Sequence, residues 1–235
     1  MTAAIATPTP RPRLALFDLD HTLLPLDSDY EWGEFTIRLG WCEREAFGRR
    51  NQAFFEAYQA GRLDVHDYVR FATEALRQRG RAAAEAARAQ FMQTVIAPAI
   101  RPAALALLAR HRAQGDTVVL VTATNEFVTR PIAQALGVEH LIAVELARDA
   151  EDWYSGEILG VPSMREGKVV RLQQWLQERG LSLAQTESTF YSDSINDLPL
   201  LERVDHPVAT NPDERLRAIA RERHWPILDL FDETP

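Results

Sequence analysis

The sequence predicts an α/β protein: a Rossmann-like open parallel sheet between helices, three layers in all, with a helical-bundle cap inserted into it. Three observations carry this expectation. Short apolar runs with strand character recur at residues 14–17, 117–121, 141–146 and 189–192. Three of them end in polar clusters rather than simple turns, namely Asp18/Asp20, Thr122/Thr124 and Asp193/Asp197. Helical patterns fill the intervals. Strands alternating with helices, with loops at the strand carboxyl ends, build a parallel sheet that binds ligands along that edge.

The first run, Leu14-Ala15-Leu16-Phe17, leads into Asp18-Leu19-Asp20-His21-Thr22. From about residue 25 to 97 the rhythm is broken by helices alone. Ser28 with Glu31 reads as a capping box at the first of them. Phe54, Phe55 and Tyr58 mark an amphipathic helix that stops at Gly61. Val65, Tyr68, Val69, Ala72 and Leu76 keep helical spacing up to Gly80. Placed directly after the first acidic loop, residues 26–96 are expected to form a cap over a core of residues 1–25 and 97–235. Beyond it, Pro102 opens a helix, and Gly115, Gly137 and Gly180 read as helix stops. Residues 152–159 suggest a β-hairpin, and residues 209–213 a turn after a short strand.

Composition narrows the function classes. The chain has 235 residues, 46% hydrophobic and 26% charged, the balance of a soluble globular protein. Lys and Arg total 26 against 34 Asp and Glu, a formal charge of −8 with no basic tract. Nucleic acid and anionic membrane surfaces are therefore not expected partners. Cys42 is the only cysteine, so neither a disulfide framework nor a Cys-rich zinc site is available. Residues 1–12 lack an apolar leader core, and no apolar stretch nears the roughly 18 residues of a membrane span. Cytoplasm is the expected compartment; oligomeric state is not legible.

Two acids at the mouth of a hydrophobic strand are costly to desolvate unless a cation or hydrogen-bond donors await them. Where the strand end turns, Asp18 and Asp20 can both be aimed at one point. A calcium loop would need acid at the fifth position and Gly at the sixth, where Thr22 and Leu23 stand. Turn or helix capping is the structural alternative. Thr122, with Ala123-Thr124-Asn125 opening the next helix, can bind a phosphate oxygen or simply cap that helix. Lys168, alone, would be a solvated helix lysine. Asp193 and Asp197 again place two acids at a strand-to-helix turn.

Together and in order, Asp-x-Asp-x-Thr, a strand ending in Thr, Lys, and Asp-x-x-x-Asp resemble the haloacid dehalogenase superfamily of phosphohydrolases. The signatures span Asp18 to Asp197, and the helical insertion resembles the cap of the phosphoserine phosphatase branch. Asp18-Leu19-Asp20-His21-Thr22-Leu23-Leu24 and Asn196-Asp197-Leu198-Pro199-Leu200-Leu201 are similar to that branch, most closely to a subgroup described as histidinol-phosphatase-like.

The resemblance implies an Mg²⁺-dependent phosphomonoesterase acting on a small phosphate ester, histidinol phosphate or phosphoserine. Asp18 would be the nucleophile, forming an aspartyl-phosphate, and Asp20 the acid and base. Mg²⁺ would take the carboxylates of Asp18 and Asp193 and the carbonyl of Asp20, with Asp197 ordering its waters or Lys168. Lys168, Thr122, the Ala123 amide and Asn196 would hold the phosphate. Asp27, nine residues past Asp18, matches the acid that contacts substrate ammonium in phosphoserine phosphatase. Asp27, Asp29 and Glu31 can equally be first-turn acids facing the helix dipole. No arginine for a substrate carboxylate stands out; Arg49, Arg50 and Arg62 are candidates. A phosphotransferase using an acceptor alcohol, or a non-catalytic binding protein on the same fold, is the alternative. A haloalkanoate dehalogenase would need neither Asp20 nor the metal carboxylates.

Overall fold

The computed structural model describes residues 11–231, so residues 1–10, most of the N-terminal stretch read above, lie outside the described residues. The chain opens with β1 (Arg13–Phe17) and four long helices, α1 (Ser28–Arg38), α2 (Arg44–Gln59), α3 (Val65–Arg79) and α4 (Arg81–Phe91). A wide turn over Met92–Ile96 and the short α5 (Ala97–Ala99) lead to α6 (Pro102–Ala113), β2 (Thr117–Asn125), α7 (Glu126–Ala135) and β3 (His140–Val144). Then come β4 (Leu146–Arg148), β5 (Tyr154–Ile158), α8 (Glu166–Gln177), β6 (Glu187–Ser192) and α9 (Leu198–Leu201). β7 (His206–Thr210), α10 (Glu214–Glu222) and β8 (Ile227–Leu228) complete the fold.

Six strands form one parallel sheet in the order β3-β2-β1-β6-β7-β8. The strand order reverses at β1, the topological switch point at which open α/β sheets bind ligands. Alternation along β1 sends its residues into two cores. Ala15 and Phe17 join Leu107, Leu108, Phe127 and Ile132 of α6 and α7 on one face. Leu14 and Leu16 join Leu172, Leu176, Leu200 and Leu216 of α8, α9 and α10 on the other. The expected three-layer α/β class is what the chain adopts.

Several local readings are revised. The run at 141–146 divides, because β3 ends at Val144 while β4 turns away to pair antiparallel with β5. The expected hairpin thus draws its first strand from before residue 152. β2 runs through Thr122 to Asn125, past a register shift with β3, so Ala123 and Thr124 are strand-end residues and Asn125 is the helix N-cap. Ser28 does not cap α1. Asp27 does, its carboxylate accepting the amides of Asp29 and Tyr30, in keeping with the strength of Asp as an N-cap. β8 follows Pro226 with two half-buried residues, too short for an apolar run to announce it.

The helices between β1 and β2 rest against the core through aromatic packing. Trp32 of α1 meets Phe91 at 5.3 Å and Phe127 of α7 at 5.5 Å. Arg70 of α3 pairs with Glu157 of β5 at 2.9 Å. Among the described residues no single helix is long and apolar enough to cross a membrane.

Candidate active site

β1 delivers Asp18 to the switch point. Its amide donates to the Tyr191 carbonyl of β6 at 2.9 Å, which extends the ladder one residue past the strand and fixes where the side chain emerges. Lys168 comes from the first turn of α8 and is 1% exposed. Its ammonium donates to Asp18 Oδ1 and Asp197 Oδ2, both at 2.7 Å. Gly167 makes that approach possible, since a Cβ there would stand 2.0 Å from the Pro162 carbonyl oxygen. Ser192, at the end of β6, donates to the same Asp197 oxygen at 2.7 Å. The Thr22 hydroxyl lies 3.1 Å from Asp193 Oδ1 and 3.4 Å from Asp18 Oδ2, and accepts the Asp193 amide at 3.0 Å.

Asp20 is held separately. The Ser28 amide at the start of α1 donates to one carboxylate oxygen at 2.8 Å, and the Thr124 hydroxyl to the other at 2.9 Å. Thr124 in turn donates its amide to the Thr122 hydroxyl at 3.1 Å. Asp20 therefore bridges the first loop, the inserted helices and the end of β2.

The electrostatics follow from burial. Desolvation, with the charge of Asp27, pushes the Asp20 carboxyl up to about 6 against the pull of Ser28 and Thr124. Desolvation and the charges of Asp18 and Asp197 hold Asp193 well above the usual carboxylate range. Asp197 rises to about 6 through burial, although Lys168 pulls it back. Burial alone would push the Lys168 ammonium down; Asp18 and Asp197 overcome it and hold it above an ordinary lysine.

Two buried carboxylates, Asp18 and Asp197, thus share one buried ammonium with the half-buried Asp193 close by, an excess of negative charge that a hard cation would relieve. Among the described residues no three His, Cys, Asp or Glu side chains already converge in metal-binding geometry. That is compatible with Mg²⁺, which keeps several waters and takes one or two carboxylates. Asp18 and Asp193 both line the cavity at the mouth of β1 and share the Thr22 hydroxyl, so the oxygen donor set fits the ion.

Asp18, Asp20, Asp27, Thr122, Ala123 and Asp193 all line that cavity. Asp197 lies behind Lys168. Asn196 is turned instead toward the inserted helices, its amide donating to the Tyr58 carbonyl at 2.9 Å. Asn211 ties the His21 carbonyl to the Leu230 amide. His66 is exposed, as are Arg49, Arg50 and Arg62. The lining also includes Asp29, Tyr30, Asn51, Phe54, Phe55, Tyr58 and Tyr68.

A family model for haloacid dehalogenase-like hydrolases matches residues 15–202. The chain belongs to the haloacid dehalogenase-like hydrolase family. It is similar to a histidinol-phosphatase of Neisseria meningitidis serogroup C (strain 8013), 38% identical over 92% of this chain and 98% of that one. A solved Bordetella pertussis Tohama I protein of unknown function is 48% identical, with a TM-score of 0.88 over 94% of this chain and 100% of its own. A phosphoserine phosphatase solved with a phospho-aspartyl intermediate analogue shares the fold at 16% identity, with a TM-score of 0.65 over 93% and 94% of the two chains. The family resemblance, the α/β class and the phosphatase class expected from the sequence all stand.

Proposed function

We propose that this family member is an Mg²⁺-dependent phosphomonoesterase for a small amino-acid-related phosphate ester, histidinol phosphate or phosphoserine, working through an aspartyl-phosphate in the cytoplasm. The observation that carries this is Asp18 at the switch point with Lys168 on one carboxylate oxygen and, near the other, the Thr22 hydroxyl that it shares with Asp193. Residues 1–25 and 97–235 serve as the catalytic core, and residues 26–96 as a cap that limits the size of the ester.

Lys168 occupies Oδ1 of Asp18, so Oδ2, with only a long contact to Thr22, is the oxygen left to attack phosphorus. As that bond forms, the bond to the leaving alcohol oxygen breaks and Asp20 gives it a proton. Asp20 then takes a proton from the water that hydrolyses the aspartyl-phosphate. A carboxyl near 6 suits both duties around neutral pH. The paired hydrogen bonds from Ser28 and Thr124 aim it for both steps. Thr122 and the Ala123 amide hold phosphate oxygens, and Asp197 keeps the Lys168 ammonium in place. Asp18, Asp193 and the Asp20 carbonyl would hold Mg²⁺, which supplies positive charge for an incoming phosphate dianion.

The test is phosphate release over a panel of metabolite phosphates with Mg²⁺, histidinol phosphate and phosphoserine side by side. One of these two is expected to lead the panel. No release from any ester, or a lead by a large phosphoprotein, would overturn the reading.

A further inference from the structure

The far end of the cavity has a chemistry that phosphoryl transfer does not use. Tyr30, Phe54, Phe55 and Tyr68, from the inserted helices, wall it, and Tyr58 of the same helices reaches toward Asp18 and Asp193. Elsewhere the protein covers rings with its own cations, as with Arg50 over Phe71 and Arg88 over Phe127, both at 4.5 Å. Among the described residues no cation lies over these five rings, and no Arg or Lys lines the cavity. Tyr30 packs on Phe55 and Phe54 on Tyr68, both at 5.3 Å, and the ring surface that lines the cavity attracts positive charge.

Apart from the tyrosine hydroxyls, the polar groups there are acid and amide side chains. Asp29 is 6% exposed and has no ionic partner; Asn125 donates to its Oδ1 at 3.1 Å, and the Tyr68 hydroxyl lies against the same carboxylate. Asp27 spends one oxygen on the two amides of its helix cap. Asn51 is 2% exposed and donates its side-chain amide to the Tyr30 carbonyl at 3.2 Å, which sets the sense of that amide. The Asn51 carbonyl oxygen accepts no hydrogen bond among the described residues. A buried acid without a cation is costly, and the Asn51 oxygen, open to the cavity, is free to accept. A ligand that suits both must bring positive charge and N–H groups. A carboxylate on the ligand would meet Asp20, Asp27 and Asp29, with no guanidinium or ammonium to receive it.

We propose that the cavity selects a phosphate ester whose other end is a cation with N–H donors and no carboxylate, an amine or imidazolium, with Asp29 as the specificity-determining residue and Asn51 beside it. This rests on the phosphomonoesterase reading, and of the two esters named above it favours histidinol phosphate.

The experiment compares kcat/KM on histidinol phosphate, phosphoserine and the neutral-tailed p-nitrophenyl phosphate, with Mg²⁺, for the wild type and Asp29→Asn. In the wild type histidinol phosphate should exceed phosphoserine by roughly 100-fold, the scale of one desolvated charge pair. In Asp29→Asn the ratio of histidinol phosphate to p-nitrophenyl phosphate should fall at least about tenfold, through KM. On the wild type alone, free histidinol should inhibit p-nitrophenyl phosphate hydrolysis at far lower concentration than serine. Equal use of phosphoserine, an unchanged ratio in Asp29→Asn, or equal inhibition by serine would each overturn the inference. Failure of every ester, p-nitrophenyl phosphate included, would instead sink the phosphatase reading beneath it.

Discussion

Asp29→Asn should stabilise the fold even as it weakens selectivity. Burial, with the charges of Asp27 and Asp20, raises the Asp29 carboxyl from its usual 3.8 to about 8, while Tyr68 and Asn125 pull it back. The unfolded chain releases that proton near 3.8, and the folded chain holds it until about 8. Between these values folding takes up a proton, so stability falls as pH rises, by about 1.36 kcal/mol per unit. At pH 7 the cost is about 1.36 × (7 − 3.8), or ~4 kcal/mol. Asn carries no charge but weakens the bonds to Tyr68 and Asn125, a loss of about 1–2 kcal/mol. The net gain of about 2 kcal/mol corresponds to a Tm rise of about 4–8 °C for a chain of this size. Thermal unfolding of both proteins from pH 5 to 9, without substrate, reads it directly. The advantage of Asp29→Asn should widen up to about pH 8 and then level off. A lower Tm for the variant at pH 7, or a difference that ignores pH, would refute the reasoning.

Other perturbations separate the remaining parts of the site. Lys168→Met leaves Asp18 and Asp197 buried without their shared cation, so unfolding should become easier by about 3–5 kcal/mol and turnover should stop; an unchanged denaturation midpoint would contradict this. In Gly167→Ala the new Cβ collides with the Pro162 carbonyl and displaces the first turn of α8. A fall of more than about tenfold in kcat/KM is expected in steady-state assays, and wild-type kinetics would show that Lys168 is not positioned this way. Chelation should abolish phosphate release, and Mg²⁺ should both restore it and raise Tm by binding only the folded chain. Full activity in excess chelator would remove the metal from the account.

What the sequence made legible was the chemistry that sits at strand ends. Asp18, Asp193 and Asp197 stand beside apolar runs where burial is expensive, and Lys168 gains meaning only from its order among them. The cavity's far end was opaque for a physical reason. Asp29 in the first turn of α1 looks like any acid facing a helix dipole, and only the packing of α3 and β2 against it makes it a buried carboxyl. Phe54 and Tyr58 carry the spacing of an ordinary core stripe. Asn51 lies among exposed polar residues of α2, and nothing local distinguishes it. Thr124 is similar: the sequence read it as part of the opening of the next helix, whereas it ends β2, and its bond to Asp20 spans a sequence separation that no local pattern reports. Capping misled as well, since Asp27 and Ser28 are adjacent and both can cap.

The central claim is that Asp18 carries the phosphoryl group between ester and water. Quenching the enzyme in acid during steady turnover with Mg²⁺, then mapping its peptides by mass spectrometry, tests this most directly. The account predicts a phosphoryl adduct on the peptide containing Asp18, absent in Asp18→Asn, which should keep its fold and lose turnover. Steady release of phosphate with no adduct on that peptide, together with substantial activity in Asp18→Asn, would contradict it.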